Sequence, residues 1–153
     1  MSDDLQQLED WAAPLLRRLQ PAERARLSRT IGTSLRRSQQ RRIAAQKNPD
    51  GSAFTPRKPP SEKRAKAGRI KRKAMFAKIR QAKHLRVRSS AQDVSVGFMS
   101  RVSRIARVHQ EGLSDTVSRG GPRVTYERRR LLGFSPADVE QVRDLIIDHL
   151  RGQ

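Results

Sequence analysis

At 153 residues and without cysteine, the chain has room for one domain with an extended arm, and it can form neither disulfides nor thiolate metal sites. Leu, Ile, Val and Phe make up just over a fifth of it, close to the level below which highly charged chains stay unfolded, and no window approaches the ~18 apolar residues that span a bilayer. The formal charge is +19, and residues 34–90 hold nineteen Lys and Arg against two acids, Asp50 and Glu62, so nearly all the excess is local and directs this stretch toward a negative partner.

An amphipathic helix opens the chain. Leu5, Leu8, Ala12, Leu15, Leu16 and Leu19 share a stripe, Asp3 or Asp4 is placed as the N-cap, and Pro14 would bend or divide the helix. Its acids, Asp3, Asp4, Glu9 and Asp10, are the reverse of a signal peptide, which leaves a soluble cytoplasmic product as the default. Trp11 flanks the stripe as a core or subunit contact. A second helix starts near Pro21, which suits the first helical position, with Glu23 in the first turn, and runs to about Gln46. Leu27, Ile31 and Leu35 recur at four-residue spacing. Beyond them the apolar stripe gives out, and Arg36, Arg37, Arg41 and Arg42 form a face for a partner.

Residues 47–60 read as a loop. Asn48-Pro49-Asp50-Gly51 is a turn signal, Phe54 is the one anchor, and Pro56, Pro59 and Pro60 keep the chain extended. Residues 61–73 have Ile70 as their one large apolar side chain, so the stretch 47–73 is expected to be mobile in the free subunit. Arg57, Lys58, Lys63, Arg64, Lys66, Arg69, Lys71, Arg72 and Lys73 sit among Pro, Ala and Gly with no helix to aim them. They would meet an acidic protein or a DNA path by charge and not by reading bases.

Met75, Phe76, Ile79 and Ala82 are spaced for a short helix. Leu85-Arg86-Val87-Arg88 and Val94-Ser95-Val96-Gly97-Phe98 alternate as a β-hairpin across residues 89–93. Val102, Ile105, Ala106 and His109 have helical spacing with Gly112 as C-cap. Gly120-Gly121-Pro122 breaks the chain, and Val124 with Tyr126 suggests a short strand. Ser135-Pro136 and Asp138 open a last helix whose stripe is Val139, Val142, Ile146 and Leu150, ended by Gly152. The predicted class is α+β: N-terminal helices in residues 1–46, a basic extended arm in 47–73, and in 74–153 a core with a central antiparallel hairpin or small sheet and a C-terminal helix packed on it.

The catalytic inventory is empty. His84, His109 and His149 lie far apart, outside any two-histidine ligand spacing. No Ser stands in a Gly-x-Ser-x-Gly elbow, and no Gly-rich loop leads to Lys-Ser or Lys-Thr. The reading is of a protein that is not an enzyme and needs no metal or cofactor. The six aromatic residues are not interleaved with the basic run of 57–73, against a stacking platform for single strands; sequence-blind phosphate contact is what remains of a nucleic-acid role.

Several local patterns occur in a telling order. Leu8 and Trp11 lie in an acidic first helix. Arg41-Arg42-Ile43 leads into Asn48-Pro49-Asp50-Gly51 and Phe54-Thr55-Pro56-Arg57-Lys58. Lys73-Ala74-Met75-Phe76, the Val-x-Val-Gly-Phe strand, Ala106-Arg107-Val108-His109-Gln110-x-Gly112-Leu113 and Arg130-Leu131-Leu132-Gly133-Phe134-Ser135 follow. In this order they resemble the phage virion morphogenesis, or tail completion, family of contractile-tailed bacteriophages, over nearly the whole chain.

The resemblance implies a structural virion protein of the tail or neck, assembled in the host bacterial cytoplasm. It would complete or terminate the head-proximal end of the tail and take part in head–tail joining. The partners implied are further copies of the chain in a ring, by analogy of six subunits, together with tail tube or sheath proteins, connector or neck proteins, and DNA passing the tail end; no membrane is implied. Trp11, Phe54, His109, Gln110 and Arg129 are candidates for subunit or tail contact, with helix-end hydrogen bonding as the plainer use of His109. The chain departs from the family pattern where Glu127 and Arg128 precede Arg129, in place of a Pro and a small residue. The alternative is a sequence-nonspecific nucleic-acid-binding accessory protein, which a pI near 11.7 would suit and which would lose affinity steeply with salt.

Overall fold

Three helices bury their apolar stripes on one another, and a β-hairpin lies across the longest of them. The structure is a computed structural model and describes residues 2–58 and 74–152. Helix α1 (Ser2–Leu16) contributes Leu8 and Ala12 to the core, with Leu5, Trp11, Leu15 and Leu16 partly covered and Leu19 buried in the turn that follows. It begins at Ser2, so Asp3 and Asp4 stand in the first turn, where the helix dipole favours them, and neither is the cap. Nor does Pro14 divide the helix; it falls in the last turn, two residues before the end, where few backbone bonds depend on it.

Helix α2 (Pro21–Ala44) has Pro21 at its first position behind an extended Gln20. Its buried stripe does not give out after Leu35. Leu27, Ile31, Leu35, Gln39 and Ile43 are all buried at four-residue spacing, Gln39 at an interior position where its amide oxygen accepts from Arg42 and from the Gly133 N–H. Just past the helix, Gln46 turns the chain with a φ of 59°.

Residues 47–56, the first part of the expected arm, pack against the body through Phe54 and the carbonyls of Thr55 and Pro56. Lys47 bridges Ala53, the Gly51 N–H donates to Asn48 O at 2.9 Å with φ +88° at Gly51, and Phe54 is buried. The rest of that basic stretch, 59–73, lies outside the described residues. Residues 74–84, where Met75, Phe76, Ile79 and Ala82 were spaced for a short helix, form successive turns instead; Phe76 has a φ of 66°, which a helix interior does not admit.

Strands β1 (Leu85–Ser89) and β2 (Val94–Phe98) pair antiparallel, Leu85 opposite Phe98 and Val87 opposite Val96. Their apolar face packs on α2 at Gly32, where a Cβ would come 2.3 Å from Val87 Cγ1 and 2.9 Å from Val94 Cγ2. Helix α3 (Arg101–Glu111) ends at Gly112 in the left-handed conformation, as expected. Its buried side is rotated from the predicted stripe, however: Ala106 and Val108 are buried and Ile105 is 48% exposed. The strand expected around Val124 is β4 (Arg123–Thr125), which pairs antiparallel with β3 (Ser114–Thr116).

The last helix, α4 (Pro136–Arg151), opens with a complete capping box between Ser135 and Asp138, buries Val142 and Ile146, and packs on α1 and α2. Contacts of Ser38 with Asp138 and of Glu23 with His149 set it antiparallel to α2. A second core gathers Ile43, Phe54, Met75, Ala106 and Leu131, with Phe76, Ile79 and Phe98 against it. The architecture is α+β, with four helices and two small antiparallel hairpins among the described residues.

Candidate functional site

Residues 126–135 form no regular element, yet they run between α2, α3 and the 47–56 turn with many of their backbone groups held by side chains or backbone of those elements. The Arg129 N–H donates to His109 O (2.8 Å), Arg130 N–H to Asn48 Oδ1 (2.8 Å) and Gly133 N–H to Gln39 Oε1 (3.2 Å). Gln110 makes both bonds to Leu132, accepting from its N–H at 2.9 Å and donating to its carbonyl at 2.8 Å, as a neighbouring strand would. Arg42 donates to the carbonyls of Arg130 (3.0 Å), Leu131 (2.8 Å) and Lys47 (3.0 Å). Gln46 repeats the glutamine device on Met75, accepting at 2.8 Å and donating at 3.0 Å.

Arg129 is the centre of this clasp. It is 5% exposed, and its guanidinium donates to Thr55 O (2.7 Å) and Pro56 O (3.1 Å) while lying 3.4 Å from His109 Nδ1. Burial lowers the pKa of both Arg129 and Arg42; Glu127 opposes this at Arg129, and Asp138 opposes it at Arg42. His109 sits in a file of edge-on rings, 4.8 Å from Phe76 and 4.8 Å from Tyr126, with Phe54 5.9 Å beyond Phe76. Burial first, then the charges of Arg129 and Arg57, push its pKa down to about 4, so its ring is neutral at pH 7 and accepts from Arg129.

Four of the candidate contact residues, Phe54, His109, Gln110 and Arg129, are thus brought together inside the subunit, where they lock the 126–135 segment. Trp11 lies apart, half-buried on the first core with the Arg143 guanidinium 5.9 Å from its ring. Of the basic residues, Arg42 is committed to the clasp and Arg36 is half-buried, whereas Arg37, Arg41, Arg57 and Lys58 are exposed. Lys63, Arg64, Lys66, Arg69, Lys71, Arg72 and Lys73 lie outside the described residues. The sequence reading missed Gln39, Gln46 and Asn48 as surrogate backbone; the one available signal was Gln39 in step with the stripe from Leu27 to Ile43.

Among the described residues no group of three or more His, Asp and Glu is placed to hold a metal ion, and no helix is long and apolar enough to cross a membrane. What the arrangement does chemically is to hold an irregular segment rigid beneath a basic exterior.

The sequence profile of the phage virion morphogenesis family matches residues 3–151. Tail completion protein S of Escherichia phage P2 is 42% identical over 149 residues, covering 97% of this chain and 98% of that protein. No solved structure matches. The segments interlocked in the clasp (the Asn48–Gly51 turn, His109-Gln110 and the run from Arg130 to Phe134) are among those that carried the resemblance, and the chain belongs to the phage virion morphogenesis family.

Proposed function

We propose that this chain is a structural, non-catalytic virion protein that completes a phage tail, acting at its head-proximal end and in the joining of head to tail. The observation that carries the reading is the match to a tail completion protein over 97% of this chain and 98% of that protein. In this reading the protein is assembled in the host cytoplasm onto a contractile tail as a ring of copies, six by analogy. Tail tube or sheath proteins lie on one side of the ring and connector or neck proteins on the other, with DNA passing through. A small double core held by a clasp of buried polar groups supports this: it makes a rigid block that presents charge outward and leaves further order to its neighbours.

Localisation of the protein on finished particles tests the reading. A gold or fluorescent label on the chain should mark one end of the tail, next to the head, with several copies per particle. Label spread along the tail, or absent from particles, would contradict it.

A further inference from the structure

The outer surface of α2 carries an open hollow of about 440 Å³, lined by Arg29, Arg37 and Arg41 with the hydroxyls of Thr33 and Ser34 beside them. All three arginines are exposed, and none forms an ion pair among the described residues. Arg26, one turn nearer the start of the helix, is paired with Glu23, the last acid before a stretch, residues 24–49, that contains eight Lys and Arg and no acid at all. We propose that this hollow is a binding site for the phosphate backbone of duplex DNA, read without regard to sequence. The proposal deepens the reading of the basic block as a contact surface and can be tested on the purified protein alone.

Three features select a phosphate backbone over an acidic protein. The charged groups are all guanidinium forks, whose paired N–H groups match phosphate oxygens, and the neighbouring hydroxyls add further donors. The hollow contains no aromatic residue and only Leu145 as a large apolar one, so it lacks the buried anchor around which protein interfaces are built. The arginines lie along one rigid helix with Arg29 and Arg41 ~18 Å apart on its axis. Duplex DNA presents a charge every ~1.7 Å of its axis, so a helix laid along it meets phosphates at each of the three positions. Arg29 lies outside the basic block of 34–90, whereas Arg42, inside it, is spent on the subunit's own carbonyls.

The test is binding of the full chain to 20-base-pair duplexes of several sequences, followed by fluorescence anisotropy between 50 and 200 mM salt. Replacing Arg29, Arg37 and Arg41 together by Gln should flatten the slope of log affinity against log salt by about 2.7, a loss of about 40-fold in salt sensitivity across that range. The loss should be equal for all sequences, and the triple Lys variant should restore the slope. Neutralising the exposed Arg101, Arg119 and Arg123 should cost much less. An unchanged slope in the Gln variant, or equal losses in both triples, would overturn the proposal. So would displacement of DNA by a polyglutamate peptide at equal charge, which would assign the hollow to an acidic protein.

Discussion

Gly133 lies against the ring of Pro49: a Cβ on Gly133 would come 2.6 Å from Pro49 Cγ, closer than real side chains approach. Pro49 is buried at the corner of the Asn48–Gly51 turn, and Asn48 holds the Arg130 N–H, so two motifs far apart in sequence are fitted to each other at this point. Replacing Gly133 by Ala should therefore destabilise the subunit by about 1–3 kcal/mol through overpacking. Gly97, where a Cβ meets nothing within 4 Å, is the control and should change by less than ~1 kcal/mol on the same substitution. Urea melts of the two variants check this.

Arg129 ties the 54–58 segment to the clasp through two carbonyls. Arg129→Ala should cost about 1.5–3 kcal/mol, as expected for losing bonds to a charged donor, and should leave Thr55 and Pro56 untethered. Amide exchange should rise first at Phe54, whose N–H on Gln46 O is the protected amide beside that anchor. Uniform loss of protection across α1 and α4 as well would show a global role in place of this local one.

The neutral His109 makes stability depend on pH. In the unfolded chain its pKa is near 6.5, and in the fold it is pushed to about 4. Between those values the unfolded state takes up a proton that the native state refuses, so this stability is complete above pH ~6.5 and is lost as pH falls toward ~4. His109→Gln, which keeps an acceptor for Arg129, should flatten that part of the curve. Denaturant melts at a series of pH values, compared between the two proteins, isolate it.

The basic block should act collectively. Exposed single charges contribute roughly 0–1 kcal/mol each, so replacing Arg57 or Lys58 alone by Ala should be nearly silent in assembly. Neutralising four or five together should impair joining, most severely at low salt, where these charges are least screened. Titres of particles carrying the single and multiple variants distinguish this from one specific bidentate contact, whose loss alone would abolish assembly.

The helices were legible because their stripes obey the helical period over many residues, from Leu8 to Leu19 and from Val142 to Ile146. The hairpin was legible from strict alternation in Val94-Ser95-Val96. The clasp was not, since Gln39, Gln46, Asn48 and Gln110 look like surface residues until the fold places an unpaired backbone opposite each amide. Turn geometry hid the 74–84 segment: Met75, Phe76 and Ile79 do reach the second core, but from a chain reversed at Phe76 and not from a helix. Likewise Ile105 is turned outward because α3 is set by its docking on β2 and the 126–135 segment, which overrides its widest apolar arc.

The central claim is that this protein finishes a tail so that it can be joined to a head. Electron microscopy of particles made with and without the protein tests it most directly. In its absence the account predicts heads filled with DNA and tails that are formed but left unjoined, or tails of abnormal length, with joining restored by the wild-type chain supplied in trans. Normal infectious particles made without the protein would contradict the account.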